Sequence, residues 1–425
     1  MFASTGRFTP GDADLRHRLR RLRGVTRRQG RRSVVVALLV VPGMGMFAAG
    51  AAADGTDGQR QPEMHFGDRI RIATVCFSVT NPAGGRSTLY GLRYSNEQQG
   101  YRGRWHAADR DHGRAPAIVL VHGIASSTEN WDFSPTWSVA RALAAAGYVV
   151  FSYDRLGYAN SSYFDQPGGG FTLTTAAHRA ELHEVVDEVE TGDYTMTEGS
   201  DCSAPQRPAR TRNPRAVIIG HSAGGWIVAG YPGTYHDVAA MIQTDIDGSG
   251  AQPPPGTPIP PGPSTSVTPD PNHPDYFEFF QTRQECENFN VYPPGEVAYI
   301  VQIACAPPFL DSPYGELQDF SVKFAQNDAA IDNIGPSIPV LLTSGDHDGV
   351  DPPVDAAADY AYYQHHCGCD VTKLLLPDTA HLFMVHQSLP LWVNYVVHWL
   401  TAKGLAPDPA RPPVPCTECV VPFVR

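Results

Sequence analysis

The stretch Gly220-His221-Ser222-Ala223-Gly224 lies between two short apolar runs, at residues 216–219 and 226–229. The first run predicts a buried strand and the second a helix, so Ser222 falls at a sharp strand-to-helix turn. Glycines two residues to either side suit such a turn, because a Cβ there would meet neighbouring backbone. This arrangement, a nucleophile elbow, would present the serine hydroxyl for attack on a substrate.

Apolar runs alternate with helical patterns on both sides of the elbow. Uninterrupted apolar runs are typical of strands buried on both faces of a parallel sheet. Between the runs, apolar residues recur at helical spacing, as in the helix expected from Thr174 to Gly192. The pattern predicts an α/β fold with a mostly parallel, doubly wound sheet, preceded by two paired strands. The predicted strands lie at residues 69–75, 88–94, 117–121, 148–153, 216–219, 238–242, 340–343 and 373–376.

Residues 251–335 interrupt this alternation. Ten prolines occupy residues 251–275, and no strand pattern returns before Val340. Because proline lacks a backbone N–H, the segment is not expected to join the sheet. Aromatic residues follow the prolines, which favours an ordered cap or lid insertion at the carboxyl edge of the strands; the alternative is a solvated loop. We therefore expect a core at 54–250 and 336–406, and a proline-rich tail at 407–425.

The N-terminal residues 1–53 have the pattern of an export signal. They hold ten arginines and two acids, the pair Arg31-Arg32, and an apolar stretch that ends in small residues. We expect cleavage after Ala53 and a secreted protein. The alternative is an uncleaved membrane anchor, which the short, Pro/Gly-broken apolar stretch disfavours.

The charge of the remaining 372 residues excludes one class of partner. They carry 22 basic and 42 acidic side chains, a net charge of −20. Such an acidic surface repels phosphate backbones, so we expect no nucleic-acid partner. We also expect no stable membrane span once the signal is removed.

All eight cysteines follow residue 53. An even number in an exported chain predicts disulfides, although 105 pairings are possible. The stretch His365-His366-Cys367-Gly368-Cys369 resembles a metal site superficially. A disulfide is favoured there, because export oxidises thiols and no second ligand cluster stands at zinc-finger spacing, so we expect no metal.

Two loops offer partners for Ser222, since a serine hydroxyl needs a base to become a nucleophile and the base needs an orienting carboxylate. Asp346 and Asp348 follow the predicted strand at 340–343, and His381 follows the strand at 373–376. The carboxyl ends of parallel strands meet at one edge of a sheet, so these side chains are expected near the elbow. The chain order is Ser, Asp, His.

With these residues in place, the chain resembles the α/β-hydrolase superfamily over the whole chain after the signal, except for 251–335 and the tail. The resemblance implies that Ser222 is the nucleophile, His381 the general base and then acid, and Asp348 the orienting acid, with Asp346 and then Asp247 as rivals for that last role. The matching motifs are Val121-His122-Gly123-Ile124, Asp154-Arg155-Leu156-Gly157, the elbow, Gly345-Asp346-His347-Asp348, and His381.

An oxyanion hole is expected beside the serine. An attacked ester carbonyl becomes an oxyanion, which backbone N–H groups stabilise when they already point at it. Ala223 begins the helix of the elbow, and Ile124 follows Gly123, whose lack of a side chain permits close approach. We expect the N–H groups of Ile124 and Ala223 to act as the donors.

The sequence thus predicts a secreted serine hydrolase, esterase- or lipase-like, that cleaves a small-molecule or lipid-like carboxylic ester through an acyl-enzyme without a cofactor. A serine peptidase and a non-hydrolytic lyase are alternatives on the same scaffold. A third alternative is a non-catalytic extracellular binding protein that retains the fold and uses the proline-rich segment for recognition.

Overall fold

The computed structural model describes residues 63–64, 70–96, 116–164, 166–265, 267–318 and 320–407. The expected export signal at 1–53 lies outside the described residues, as do Cys416 and Cys419. Within the described ranges no helix combines the length and the apolar character needed to cross a bilayer.

A ten-stranded sheet organises the described residues, and the predicted α/β fold class is confirmed. Six adjacent strands pair in parallel, and four more pair antiparallel at one side. Across the sheet, the strands are β13 (Val371–Leu376), β12 (Val340–Gly345), β8 (Ala240–Thr244), β7 (Val217–His221), β3 (Ala117–Val121), β4 (Val149–Tyr153), β2 (Arg86–Asn96), β1 (Ile70–Thr80), β5 (Thr195–Thr197) and β6 (Gln206–Pro208).

Helices fill the connections between these strands. The helix expected from Thr174 to Gly192 spans Thr175–Thr191. The Thr174 side chain caps its first turn by accepting a hydrogen bond from Ala177 N, and Gly192, whose φ is +79°, caps its C-terminal end. The helices are α1 (Val139–Ala146), α2 (Thr175–Thr191), α3 (Ala223–Ala229), α4 (Pro232–Tyr235), α5 (Arg283–Asn290), α6 (Ala298–Ala304), α7 (Gly315–Gln318), α8 (Phe320–Ile331), α9 (Pro353–His366) and α10 (Leu389–Ala402).

Two apolar layers cover the two faces of the sheet. Strand β3 is buried along its whole length, and its successive side chains alternate between the layers. Val119 packs in the layer that contains residues of α2, and Leu120 in the layer that contains residues of α1 and α10. Burial on both faces explains why the central strands read as uninterrupted apolar runs.

Residues 251–335 do not contribute a strand to the ten-stranded sheet. They form a small antiparallel sheet and helices α5 to α8. The small sheet was not visible in the sequence, because strands of two or three residues are too short to show a period. The small sheet has the order β11 (Asp311–Pro313), β10 (Tyr276–Glu278), β9 (Thr268–Pro269).

Three disulfides join the six cysteines of the described residues. Cys76 on β1 pairs with Cys202, 126 residues away; Cys286 pairs with Cys305 within the inserted segment. Cys367 pairs with Cys369, so neither thiol is available to a metal. The expectation of disulfide bonding is met at all three pairs.

Candidate active site

Ser222 stands alone between the end of β7 and the start of α3. Its backbone has φ +55° and ψ −126°, a conformation that side chains rarely adopt. A Cβ on Gly220 would lie 2.2 Å from Gly224 O, and a Cβ on Gly224 would lie 2.2 Å from Val121 O. Both positions therefore require glycine, as the elbow pattern predicts.

The structure brings the serine, the histidine and Asp348 together. His381 Nε2 lies 2.9 Å from Ser222 Oγ, and His381 Nδ1 lies 3.1 Å from Asp348 Oδ2. Asp348 follows β12 and His381 follows β13, strands that run parallel to β7, so all three side chains meet at one sheet edge. His381 and Asp348 are buried, whereas Ser222 is half-buried.

Backbone hydrogen bonds hold the Asp348 carboxylate in place. Its Oδ1 accepts from the N–H of Val350 at 2.7 Å and from that of Asp351 at 3.1 Å. Its other oxygen, Oδ2, faces the imidazole, so hydrogen bonds to both oxygens orient the carboxylate. An ionised carboxylate in this position selects the histidine tautomer that carries its proton on Nδ1.

The two rival acids have other contacts. Asp346 Oδ1 accepts a hydrogen bond from Thr379 N at 3.1 Å. Asp247 follows β8 by three residues, and burial, followed by the charge of Asp359, raises its pKa to about 7.

A further acid, Asp245, was missed by the sequence reasoning. It follows β8 directly, has φ +53°, and is fully buried. Gly345 N donates to its Oδ1 at 3.1 Å, and its Oδ2 has no hydrogen-bond partner among the described residues. Burial, and then the charge of Asp348, raise the pKa of Asp245 well above its usual value. The predicted strand at 238–242 ends two residues before the observed β8, so Asp245 was not recognised as lying at the carboxyl edge of the sheet.

His221, the second residue of the elbow motif, supports the histidine loop. Its Nε2 donates to the backbone oxygen of His381 at 2.9 Å. Burial, and then the neighbouring His381, lower the pKa of His221 to about 3. The ring is therefore neutral at physiological pH, and its hydrogen bond ties the end of β7 to the loop that carries His381.

The two expected oxyanion donors lie beside the serine. A Cβ on Gly123 would lie 2.9 Å from Ser222 Cβ, so this loop approaches the elbow closely. Ala223 is the first residue of α3, where backbone N–H groups lack intrahelical partners. Ile124 and Ala223 belong to the same small apolar cluster.

Phenylalanines of the inserted segment reach the site. The ring of Phe289 stands edge-on to His381 with centroids 5.2 Å apart. Ala125, next to Ile124, packs against the apolar cluster that contains Phe289, and its N–H donates to Ser312 Oγ at 2.9 Å. The cluster, called the phenylalanine cluster below, contains Phe279, Phe280, Phe289, Phe309 and the disulfide Cys286–Cys305.

Among the residues that the structure describes, one group of side chains has ligand atoms close enough to hold a metal. In Asp270, His273 and Asp311 these atoms all lie within 4.8 Å of one another. Burial, and then Asp270, raise the pKa of Asp311 to about 6. Sequence reasoning missed the group, because Asp311 lies 38 residues after His273 and only the folded segment brings it to Asp270 and His273.

A model of the alpha/beta hydrolase family matches residues 118–394. A Synechocystis sp. protein named "putative non-heme chloroperoxidase" is 34% identical over 80 residues, which are 19% of this chain and 25% of that protein. The chain thus spans about a quarter of the length of this curated relative.

Several solved structures are similar to this fold. A membrane phospholipase A, described as a novel bacterial virulence factor, has a TM-score of 0.48 at 17% identity, covering 78% of this chain and 87% of that one. A monoacylglycerol lipase from Paleococcus ferrophilus has a TM-score of 0.46 at 14% identity, covering 74% and 99%.

Proposed function

Since the chain belongs to the alpha/beta hydrolase family, we propose that it is a serine hydrolase that cleaves carboxylic esters through an acyl-enzyme on Ser222. The observation that carries the proposal is the unbroken chain of contacts from Ser222 Oγ through His381 to Asp348. A serine hydroxyl is a weak nucleophile at neutral pH, and a histidine base within hydrogen-bond distance activates it.

In the first half of the proposed reaction, Ser222 Oγ attacks the ester carbonyl while His381 Nε2 takes the hydroxyl proton. The Asp348 carboxylate stabilises the imidazolium that forms. The tetrahedral oxyanion accepts hydrogen bonds from the N–H groups of Ile124 and Ala223. When the C–O bond of the ester breaks, His381 returns the proton to the leaving alkoxide, and the acyl group stays on Ser222.

In the second half, His381 Nε2 takes a proton from water, and the hydroxide attacks the acyl carbonyl. Collapse of the second tetrahedral intermediate breaks the bond to Ser222 Oγ, which recovers its proton from His381. The products are one alcohol and one carboxylic acid, and the enzyme returns to its starting state without a metal or an organic cofactor.

The phenylalanine cluster supports an ester with an apolar group. It packs beside His381 and next to the loop that carries Ile124, where one side of a bound ester would lie. Aromatic side chains at such a position stabilise apolar groups by removing them from water. We infer that residues 251–335 form a cap over the site and that the substrate is a small-molecule or lipid-like ester.

We also propose that the protein acts outside the cytoplasm. The arginine-rich, apolar pattern of residues 1–53 supports export, and three disulfides within the described residues suit an oxidising compartment. Sequencing the N-terminus of the protein recovered from culture medium tests this proposal. A chain that begins at Asp54 is expected, whereas one that begins at Met1 would contradict it.

A fluorophosphonate probe tests the nucleophile. It should label the native protein at Ser222, and Ser222→Ala should lose both labelling and ester turnover, with a fall in kcat of at least about 10³-fold. Ser203→Ala removes an exposed serine of a turn and serves as the matched control, which should keep both properties. Absence of labelling in the native protein would favour a binding protein over an enzyme.

The bond that is cleaved requires a second measurement, because the probe also labels peptidases. We expect turnover of p-nitrophenyl esters to exceed that of aminoacyl anilides, and to rise with acyl length if the phenylalanine cluster contacts the acyl group. A preference for anilides would replace the esterase proposal with a peptidase.

A further inference from the structure

A fully buried ion pair connects the inserted segment to the core. Arg155, which follows β4, donates from Nη1 to Oε1 of Glu316 on α7 at 2.8 Å, and the two side chains are 0% and 1% exposed. The Tyr158 hydroxyl donates to the same oxygen at 2.6 Å. Although burial alone would raise it, the positive charge of Arg155 holds the pKa of Glu316 well below its usual range. Both side chains are therefore charged.

A buried ion pair seldom adds stability, because desolvation offsets most of the attraction between the charges. Anchoring of the segment does not require it either. Asn327 on α8 already joins the segment to the core, since its Nδ2 donates to Trp226 O at 3.1 Å and to Gly248 O at 2.9 Å. The pair of Arg155 and Glu316 therefore calls for a role besides attachment.

The contact of Arg155 with Gly123 indicates what that role is. Its Nη2 donates to the backbone oxygen of Gly123 at 3.0 Å, and His122 Nδ1 lies 2.8 Å from the same oxygen. Arg155 N donates to His122 Nε2 at 3.0 Å, so the proton of the neutral ring is on Nδ1, which donates to Gly123 O. Burial, and then the charge of Arg155, lower the pKa of His122 and keep this ring neutral.

The oxygen of Gly123 belongs to the same peptide unit as the N–H of Ile124. The unit is planar, and in a trans peptide the C=O and N–H bonds point in opposite directions. Two donors that fix the direction of the Gly123 carbonyl therefore also fix the direction of the Ile124 N–H. That N–H is one of the two proposed oxyanion donors.

We propose that Glu316 is a positioning residue which, through Arg155, holds the peptide between Gly123 and Ile124 in the orientation that stabilises the oxyanion. Without the Glu316 charge, Arg155 would lose its ion-pair partner. Its guanidinium would then move toward other acceptors and away from Gly123 O. The inserted segment then contributes directly to transition-state stabilisation. This inference rests on the proposed hydrolase function.

Glu316→Gln tests the inference, because the amide has nearly the same shape but no charge. We expect kcat on a p-nitrophenyl ester to fall about 10- to 100-fold, less than the 10²- to 10³-fold loss on deleting an oxyanion donor, with KM within about threefold. Binding of phenylboronic acid, which forms a tetrahedral adduct with serine, should weaken in parallel with kcat/KM. An effect on folding alone would move neither quantity.

Two further variants separate positioning from stability. Asn327→Ala removes a different buried anchor of the segment and should lower the melting temperature while kcat stays within about twofold. The double variant Arg155→Met with Glu316→Leu replaces both charges by apolar groups, which is often neutral for stability. It should fold and still show the reduced kcat.

The inference is overturned if the double variant or Glu316→Gln keeps the parental kcat, or if Asn327→Ala loses as much kcat as Glu316→Gln. An active, probe-labelled parent with unaffected variants would defeat only this inference. A parent with neither turnover nor labelling would defeat the proposed function as well.

Discussion

At the scale of single residues, contacts distinguish acids that look alike in the sequence. Asp346 and Asp348 lie two residues apart after the same strand, and Asp245 directly follows the neighbouring strand. The turn after β12 points Asp348 toward His381 Nδ1, while Asp346 accepts from the loop after β13. The sequence favoured Asp348 and left Asp346 and Asp247 as rivals, because the fold of the loop after β12 determines which carboxylate meets the imidazole.

Asp348→Asn should lower kcat by about 10³- to 10⁴-fold, because an amide does not select the required tautomer of His381. Asp346→Asn is the matched control: its side-chain oxygen can still accept from Thr379 N, so we expect kcat within about threefold of the parent. Steady-state kinetics on one p-nitrophenyl ester, with melting curves for both variants, provide the measurement. Reversal of the two results would assign the orienting role to Asp346.

At the scale of elements, the sequence predicted what depends on neighbours along the chain. Apolar runs placed the central strands, and Thr174 and Gly192 placed the ends of α2. Short elements were not predicted: β9, β10 and β11 have two or three residues and take their shape from one another. Glu316 was missed for a related reason, since only the folded chain brings it to Arg155, 161 residues away.

The disulfides should differ in their effect on stability according to the loops they close. Cys76–Cys202 closes a loop of 126 residues, which the chain-entropy model values at about 5 kcal/mol. Cys367 and Cys369 are only two residues apart, so their disulfide should contribute about 1–2 kcal/mol. Paired Cys→Ser variants, unfolded in urea, measure the two contributions. Equal losses would show that unfolded-chain entropy is not the main term.

At the scale of the whole molecule, acids outnumber bases, and several acids are buried. Burial raises the pKa of Asp247 to about 7 and that of Glu188 on α2 to about 7. Burial also raises the pKa of Asp351 and of Asp359. The folded state therefore favours the protonated form of these carboxyls. Glu316 differs, because its charged form pairs with Arg155.

These carboxyls should therefore make the folded protein more stable at pH 5.5 than at pH 8, and we expect them to outweigh the buried His122, His221 and His386, whose lowered pKa values act in the opposite direction. In an unfolded chain these carboxyls release their protons near pH about 4, whereas Asp247 and Glu188 hold theirs up to about 7 in the fold. Between these values the folded state binds more protons, so the free energy of unfolding falls as pH rises.

Melting temperatures across this range measure the effect. Asp247→Asn removes one titrating group and should reduce the difference between pH 5.5 and pH 8, while Asp332→Asn, at a largely exposed position, should not. A melting temperature that rises steadily from pH 5.5 to pH 8 would contradict the expectation.

Strand β6, the three exposed residues at the antiparallel side of the large sheet, bears on how the protein behaves when concentrated. An unpaired strand edge is a template on which another molecule can add its own strand and start a fibril. Strand β6 is short, Arg207 carries a charge, and Pro208 has no backbone N–H to donate to an added strand. We therefore expect that concentrated protein does not aggregate by adding strands at this edge.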